Sequence, residues 1–464
     1  MKDTVPSFLT IAEAGRLIAA KKLSPVELTR ALLQRIETVD PKLSAFLLVT
    51  NQRAMAAARA AEKAVMSGQK GPLLGIPLGY KDIYETAGVR TTAHSRILMN
   101  NVPKQDAETV RRLHAAGAVM LGKLATHEFA IGGPATDLPW PPARNPWDTR
   151  RFTGGSSSGS GAAVAAGLAL GALGSDTGGS IRLPAAYCGI AGFKPTPGLV
   201  SRRGVIPLAP SLDTAGPMAW TAQDCALMLD VLAGYDPADP ASVAAPLPGY
   251  AKAIEVPLKG LRVGVLRRFY EHDVPATPEM LKMMGQAAAT LKRLGCRVEE
   301  AVLPPVQDFN AVGRIIISAE AYALHEATLH ARLSEYSRVF RIRVLAGALI
   351  RAADYIGAQR RRTDLIATAA ASFKKFDVLI SAPTAGAAPL LAEQRPDEGF
   401  AQPFLTTVAN VAALPSLVVC GGFTATGLPL GLEIMGPAWA DATVLRVGHQ
   451  FEVATGLRGR RPEV

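Results

Sequence analysis

The stretch TGGSSSGSGAAVAAGLALGALGSDTGGSIRLPAAYCG, residues 153–189, holds two serine–glycine clusters around an apolar run, and its reading decides the fold. Its ionisable side chains are Asp176, Arg182, Tyr187 and Cys188, with no histidine beside either cluster. A flexible linker would be polar throughout, whereas AAVAAGLALGALG suits a buried helix followed by a buried strand. A phosphate cradle would show GxxxxGK[ST], or GxGxxG after a strand, and neither is present. Gly155-Ser156-Ser157-Ser158-Gly159 formally fits the GxSxG nucleophile elbow, but the preceding PARNPWDTRRFTGG is polar and proline-bearing, a poor strand. Asp176-Thr177-Gly178-Gly179-Ser180 imitates a GDSGGP motif with threonine where the nucleophile would stand. Both imitations fail, and the residues of the two clusters alone leave open whether they form an active site whose base comes from elsewhere in the chain.

Outward from this stretch, helices and strands alternate. Thr10-x-x-Glu13 and Ser24-Pro25-x-Glu27 read as capping boxes, the second with proline at the first helical position. Leu28, Leu32, Leu33 and Ile36 recur at helical spacing, and Asp40-Pro41 is expected to end that helix. Residues 51–66 form an alanine-rich helix, and 75–82 (GIPLGYKD) a short buried strand leading to a loop. A helix from Asp106 to about Ala116 precedes the strand AVMLG at 118–122, and LRVGVL (261–266) and FDVLIS (376–381) read as further buried strands. Such alternation predicts an α/β fold around a mixed or largely parallel sheet. Residues 234–250 are the best linker candidate, or a surface crossing.

With 48% hydrophobic and 19% charged residues, the 464-residue chain can bury a substantial core. No apolar run approaches the ~20 residues of a spanning helix, and the N-terminus does not read as a signal peptide, so a cytoplasmic protein without a membrane partner is expected. The net charge of +11 is dispersed, with no long basic tract, and nucleic-acid binding is not expected. Cys188, Cys225, Cys296 and Cys420 are far apart and read as buried free thiols. His94, His114, His127, His272, His325, His330 and His449 share no metal spacing; they read as packing or surface residues, and no metal or cofactor is expected.

Taken together, Gly154-Gly155-Ser156-Ser157 and the later 174–182 (GSDTGGSIR) resemble the amidase signature family. The resemblance extends to 75–92, 117–130, 143–157, 188–198, 211–219 and 428–437, most of the chain. It implies an α/β fold with a large mixed central sheet covered by helices on both faces. One domain would span 1–464, with N-terminal helices at 1–70, a signature core at 71–220, and a C-terminal half at 221–464 completing sheet and pocket. It also implies a Ser–Ser–Lys triad: Ser180 as acylating nucleophile, Ser156 as a bridging serine after a cis peptide bond, and Lys81 as proton acceptor and donor. Thr177, Gly178, Gly179 and Ser180 would present oxyanion-hole N–H groups, and Ser157, Asp176 and Arg182 would support the loops.

The chemistry is consistent with those residue types. A serine hydroxyl needs a base, and a solvated lysine of pKa ~10.4 is neutral only about once in 2500 at pH 7, so the site must desolvate it. A serine between them can accept from one and donate to the other. Within the family, two departures separate the chain from the glutaminase subunit of the tRNA-dependent amidotransferase. SAEAYALHEAT (318–328) stands where that subunit has NLARYDG, and Pro403 stands at its glutamine-gripping aspartate. Arg362 does match the subunit's arginine and is expected to bind substrate with Ala130 and Ile131. These features predict a free-standing amidase for a hydrophobic or aryl carboxamide, as monomer or homodimer; the alternative is the glutaminase subunit. An idle scaffold protein, the reading from another class, would not need all three triad residues.

Overall fold

The computed structural model describes residues 6–395 and 403–464. Its strands are β1 (Phe46–Val49), β2 (Pro77–Lys81), β3 (Val119–Leu124), β4 (Gly171–Asp176), β5 (Ala191–Lys194), β6 (Thr214–Ala219), β7 (Arg262–Val265), β8 (Arg297–Glu300), β9 (Val378–Ser381), β10 (Ser416–Phe423) and β11 (Pro429–Met435). They form one sheet in the order β1-β3-β2-β4-β6-β5-β10-β11-β9-β7-β8. Pairing is parallel for β2 with β3 and β4, and for β7 with β8 and β9; the other pairs are antiparallel. The sheet is thus mixed, and strands from both sides of 234–250 join it. That segment is no loose linker: Asp236 and Asp239 in it are buried and accept hydrogen bonds from Ser201 and Arg202.

The helices are α1 (Ile11–Ala19), α2 (Pro25–Leu43), α3 (Asn51–Met66), α4 (Glu108–Ala115), α5 (Ser158–Ala165), α6 (Arg182–Cys188), α7 (Ala222–Leu232), α8 (Tyr250–Ala253), α9 (Pro278–Arg293), α10 (Val306–Arg332), α11 (Arg338–Val344), α12 (Ala352–Ser372), α13 (Thr407–Val411) and α14 (Asp441–Thr455). They cover both faces of the sheet. Gly171 and Gly174 lie on opposite faces of β4, as alternate parity requires. The Cβ position of the first meets Met228 of α7, and that of the second meets Ile181, beside α6, and Ser157. Among the described residues no helix is long and apolar enough to cross a membrane.

Local start signals translate directly. Thr10 and Glu13 complete a reciprocal capping box on α1. Ser24 accepts from Val26 and Glu27 N–H at the start of α2 and its hydroxyl donates to Glu62, but the return bond from its own N–H to the Glu27 side chain is not made, so only half of the second box forms. Pro41 does not end α2; the helix runs two residues further, to Leu43. Proline stops a helix mainly by clashing with the turn before it, yet here it sits in the last turn, where termination follows anyway. The stop is made by Ser44 in the left-handed region, φ 53°, and by Asp40, whose carboxylate accepts from Ala45 and Phe46 N–H.

Candidate active site

The two serine–glycine clusters meet because α5 and β4 are consecutive and antiparallel in space. The first cluster is the loop entering α5; the second is the turn from β4 into α6. Ser157 ties them together: its Oγ donates to the Ser175 carbonyl and accepts from Ser175 N–H, both at 3.3 Å, and its N–H donates to the Ser180 carbonyl at 3.2 Å. Lys81 ends β2, which pairs in parallel with β4, so its side chain arrives beside both clusters.

Lys81 is completely buried, and its Nζ lies 2.7 Å from Ser156 Oγ and 2.8 Å from Ser175 Oγ. Burial pushes this lysine down to about 7, against the opposing pull of Asp176 and Asp213. The Gly155–Ser156 peptide bond is cis. Ser180 lines a cavity of about 230 Å³ together with Ser156, Thr177, Gly178 and Gly179. Ser175, the second partner of Lys81, is a residue that sequence reasoning misses; its position next to Asp176 at the end of a strand beside β2 is the signal that could have found it.

Asp176 and Arg182 are fully buried and paired at 2.8 Å. The carboxylate also accepts from the N–H groups of Gly179, Ile181 and Arg182 and from Asn410 Nδ2. Burial would raise this carboxyl, but the charge and hydrogen bonds of Arg182 outweigh it and hold Asp176 below the usual carboxylate range. Arg182 reaches on to Glu433 of β11 and to the Thr406 carbonyl, tying the turn to the C-terminal part of the chain. Of the four N–H groups expected to meet an oxyanion, that of Gly179 already donates to Asp176 Oδ1 at 2.8 Å. The N–H groups of Thr177, Gly178 and Ser180 make no hydrogen bond among the described residues.

Ala130 and Ile131 line the cavity, but Arg362 does not: its Nε donates to the Val411 carbonyl, joining α12 to α13. The cavity's arginines are instead Arg314, Arg343 and Arg395, which come from three separate segments and carry no local sequence signal. His127 is also more than a packing residue. Its ring lines the cavity, stacks on Phe152 at 5.9 Å, and occupies the place a Cβ on Gly155 would need. Burial and the nearby Lys81 push it down to about 3, so it is neutral at physiological pH. Among the described residues no group of histidine, cysteine, aspartate or glutamate could hold a metal ion. All four cysteines are free; Cys420 alone is only half-buried.

Comparison with known proteins agrees with this geometry. A family model described as Amidase matches residues 27–445. The chain is 41% identical to the A subunit of the glutamyl-tRNA(Gln) amidotransferase from Roseiflexus castenholzii, over 98% of each chain. Among solved structures it resembles a chain of a vestigial protein complex that reveals the evolutionary origins of an s-triazine catabolic enzyme, with TM-score 0.91 and 33% identity over 98% of this chain and 100% of that one. It is also similar to the native peptide amidase of Stenotrophomonas maltophilia, with TM-score 0.85 and 32% identity over 98% of both chains.

Proposed function

Because the chain belongs to the amidase family, we propose that it hydrolyses a carboxamide C–N bond through an acyl-enzyme on Ser180. The observation carrying this reading is the 2.7 Å contact of a buried, readily deprotonated Lys81 with Ser156, in the wall of the cavity that Ser180 lines. In the proposed sequence, Ser180 Oγ attacks the amide carbon while its proton passes to Ser156, and the Ser156 proton passes to Lys81. The oxyanion is met by N–H groups of Thr177, Gly178 and Ser180, preorganised by the Asp176–Arg182 pair. The proton returns through Ser156 to the leaving nitrogen as the C–N bond breaks. Water, deprotonated along the same path, then releases the carboxylate and restores Ser180. Ser180→Ala removes only a hydroxyl, so a folded protein with amide hydrolysis reduced by several orders of magnitude is expected. Wild-type activity in that variant would exclude Ser180 as nucleophile.

A second version has the same chemistry inside an assembly, with glutamine as substrate and ammonia passed to a partner. What favours it is the 38–41% identity to amidotransferase A subunits over nearly the full chain. Against it stands Pro403 at the position expected to grip the glutamine ammonium. Hydrolysis of aliphatic, aryl and amino-acid amides by the chain purified alone separates the two. Activity on simple amides supports the free-standing enzyme, and activity on glutamine only with a second subunit supports the assembly.

A further inference from the structure

We propose that Thr406 is a positioning residue for acylation: through the Gly178 carbonyl, its hydroxyl sets the orientation of the turn that carries Ser180. This deepens the amidase reading and rests on it. Thr406 is buried just before α13 and does not itself line the cavity. Its Oγ1 donates to the Gly178 carbonyl at 2.8 Å. At the other end of the same peptide unit, the Gly179 N–H donates to Asp176 Oδ1 at 2.8 Å. The C=O and N–H of a trans peptide lie in one plane and point in opposite directions, so these two bonds fix that plane.

This unit needs anchors from outside. Thr177 is held by its own side chain, which donates to Asp213 Oδ1 at 2.6 Å, and the Ser180 carbonyl accepts from Ser157 N–H at 3.2 Å. Gly178 and Gly179 between them have no side chain to hold, and Gly179 uses its backbone freedom at φ +128°. Half a turn of the 178–179 unit would bring the Gly178 carbonyl round to the Asp176 carboxylate. It would also redirect the neighbouring N–H groups of Gly178 and Ser180, two of the donors proposed to meet the oxyanion.

Thr406 acts from a fixed base. Its carbonyl accepts from Arg182 Nη1 at 2.6 Å, while Arg182 Nη2 donates to Asp176 Oδ1 at 2.8 Å, so one guanidinium group holds both anchors of the unit. Its side chain fills the space beside Gly179, where an added Cβ would overlap it. Two residues earlier, Asn310 of α10 clamps Phe404: Oδ1 accepts from the Phe404 N–H at 2.8 Å, and Nδ2 donates to the Phe404 carbonyl at 3.0 Å. Residues 404–406 are thus tied to α10 at one end and to Arg182 at the other.

The test compares the full wild-type chain with Thr406→Val and Thr406→Ser by the rate of fluorophosphonate labelling at Ser180. Valine keeps the branched shape and loses the hydroxyl, whereas serine keeps the hydroxyl. Thr406→Val is expected to label about tenfold more slowly or worse, with the pH midpoint of labelling unchanged because Lys81 is untouched. Thr406→Ser is expected to keep most of the wild-type rate. Wild-type labelling by Thr406→Val, or a Thr406→Ser protein as slow as Thr406→Val, overturns the proposal while leaving the amidase reading intact. Should circular dichroism show Thr406→Val unfolded, Thr406→Ala, which removes the same hydroxyl and puts no methyl in its place, is held to the same outcomes. Failure of wild-type Ser180 to label at all would instead overturn the amidase reading and, with it, this proposal.

Discussion

At the scale of single residues, the lysine decides whether the chemistry works. Burial, not a neighbouring charge, lowers Lys81 from its ordinary value to about 7, because Asp176 and Asp213 both act in the opposite direction. The neutral amine is the form that accepts a proton, so acylation should rise with pH through about 7 and level off above it. Lys81→Arg keeps a cation that does not deprotonate, and should lose about 10²- to 10⁴-fold in acylation rate with no such limb. The pH profile of kcat/KM for both proteins checks this. Asp176 plays the opposite part, held ionised by Arg182. Removing it as Asp176→Ala leaves the fully buried Arg182 with only Glu433 as counter-charge among the described residues, and should cost roughly 3–5 kcal/mol in urea unfolding at pH 7. Its folded pKa is depressed, so this stabilisation is present above about pH 4 and fades as acid protonates the carboxylate.

At the scale of elements, the turn from β4 to α6 and the loop into α5 are built by close approach. Gly179 has φ +128°, and a Cβ there would overlap the Thr406 side chain; a Cβ on Gly155 would overlap the His127 ring. Gly179→Ala and Gly155→Ala should each cut kcat by tenfold or more through displaced N–H donors and Ser156. Circular dichroism and steady-state kinetics together distinguish this from unfolding; unchanged kcat in both variants would contradict it. These same elements show what a sequence can announce. Thr10, Ser24 and the apolar periodicity of α2 are local signals, and they mark real helices. Pro41 misleads because its effect depends on where the helix's own cap falls, and Asp40 sets that cap through two longer-range bonds. Strands β4, β5 and β6 are rich in glycine and alanine, so their strand character comes from burial between helices and not from side-chain propensity.

At the scale of the whole molecule, the sequence names the motif residues and two residues of the cavity wall, Ala130 and Ile131, but not the arginines that line it. Lys81, Ser156 and Ser180 sit in local patterns, but their proximity is made by a sheet that sets β2 against β4. The arginines lining the cavity are contributed by α10, by α11 and by the segment just before residue 396, distant in sequence and without a shared pattern. Arg362, matched on a local string, is turned instead to Val411. The central claim is that this single chain carries a complete acylating site. Its most direct test is mass spectrometry of the chain purified alone after reaction with a slow aryl acyl substrate. The account predicts an acyl adduct on the peptide containing Ser180, formed without tRNA, ATP or a partner, and absent from Ser180→Ala. An adduct on Ser157, or none until a second subunit is added, would contradict it.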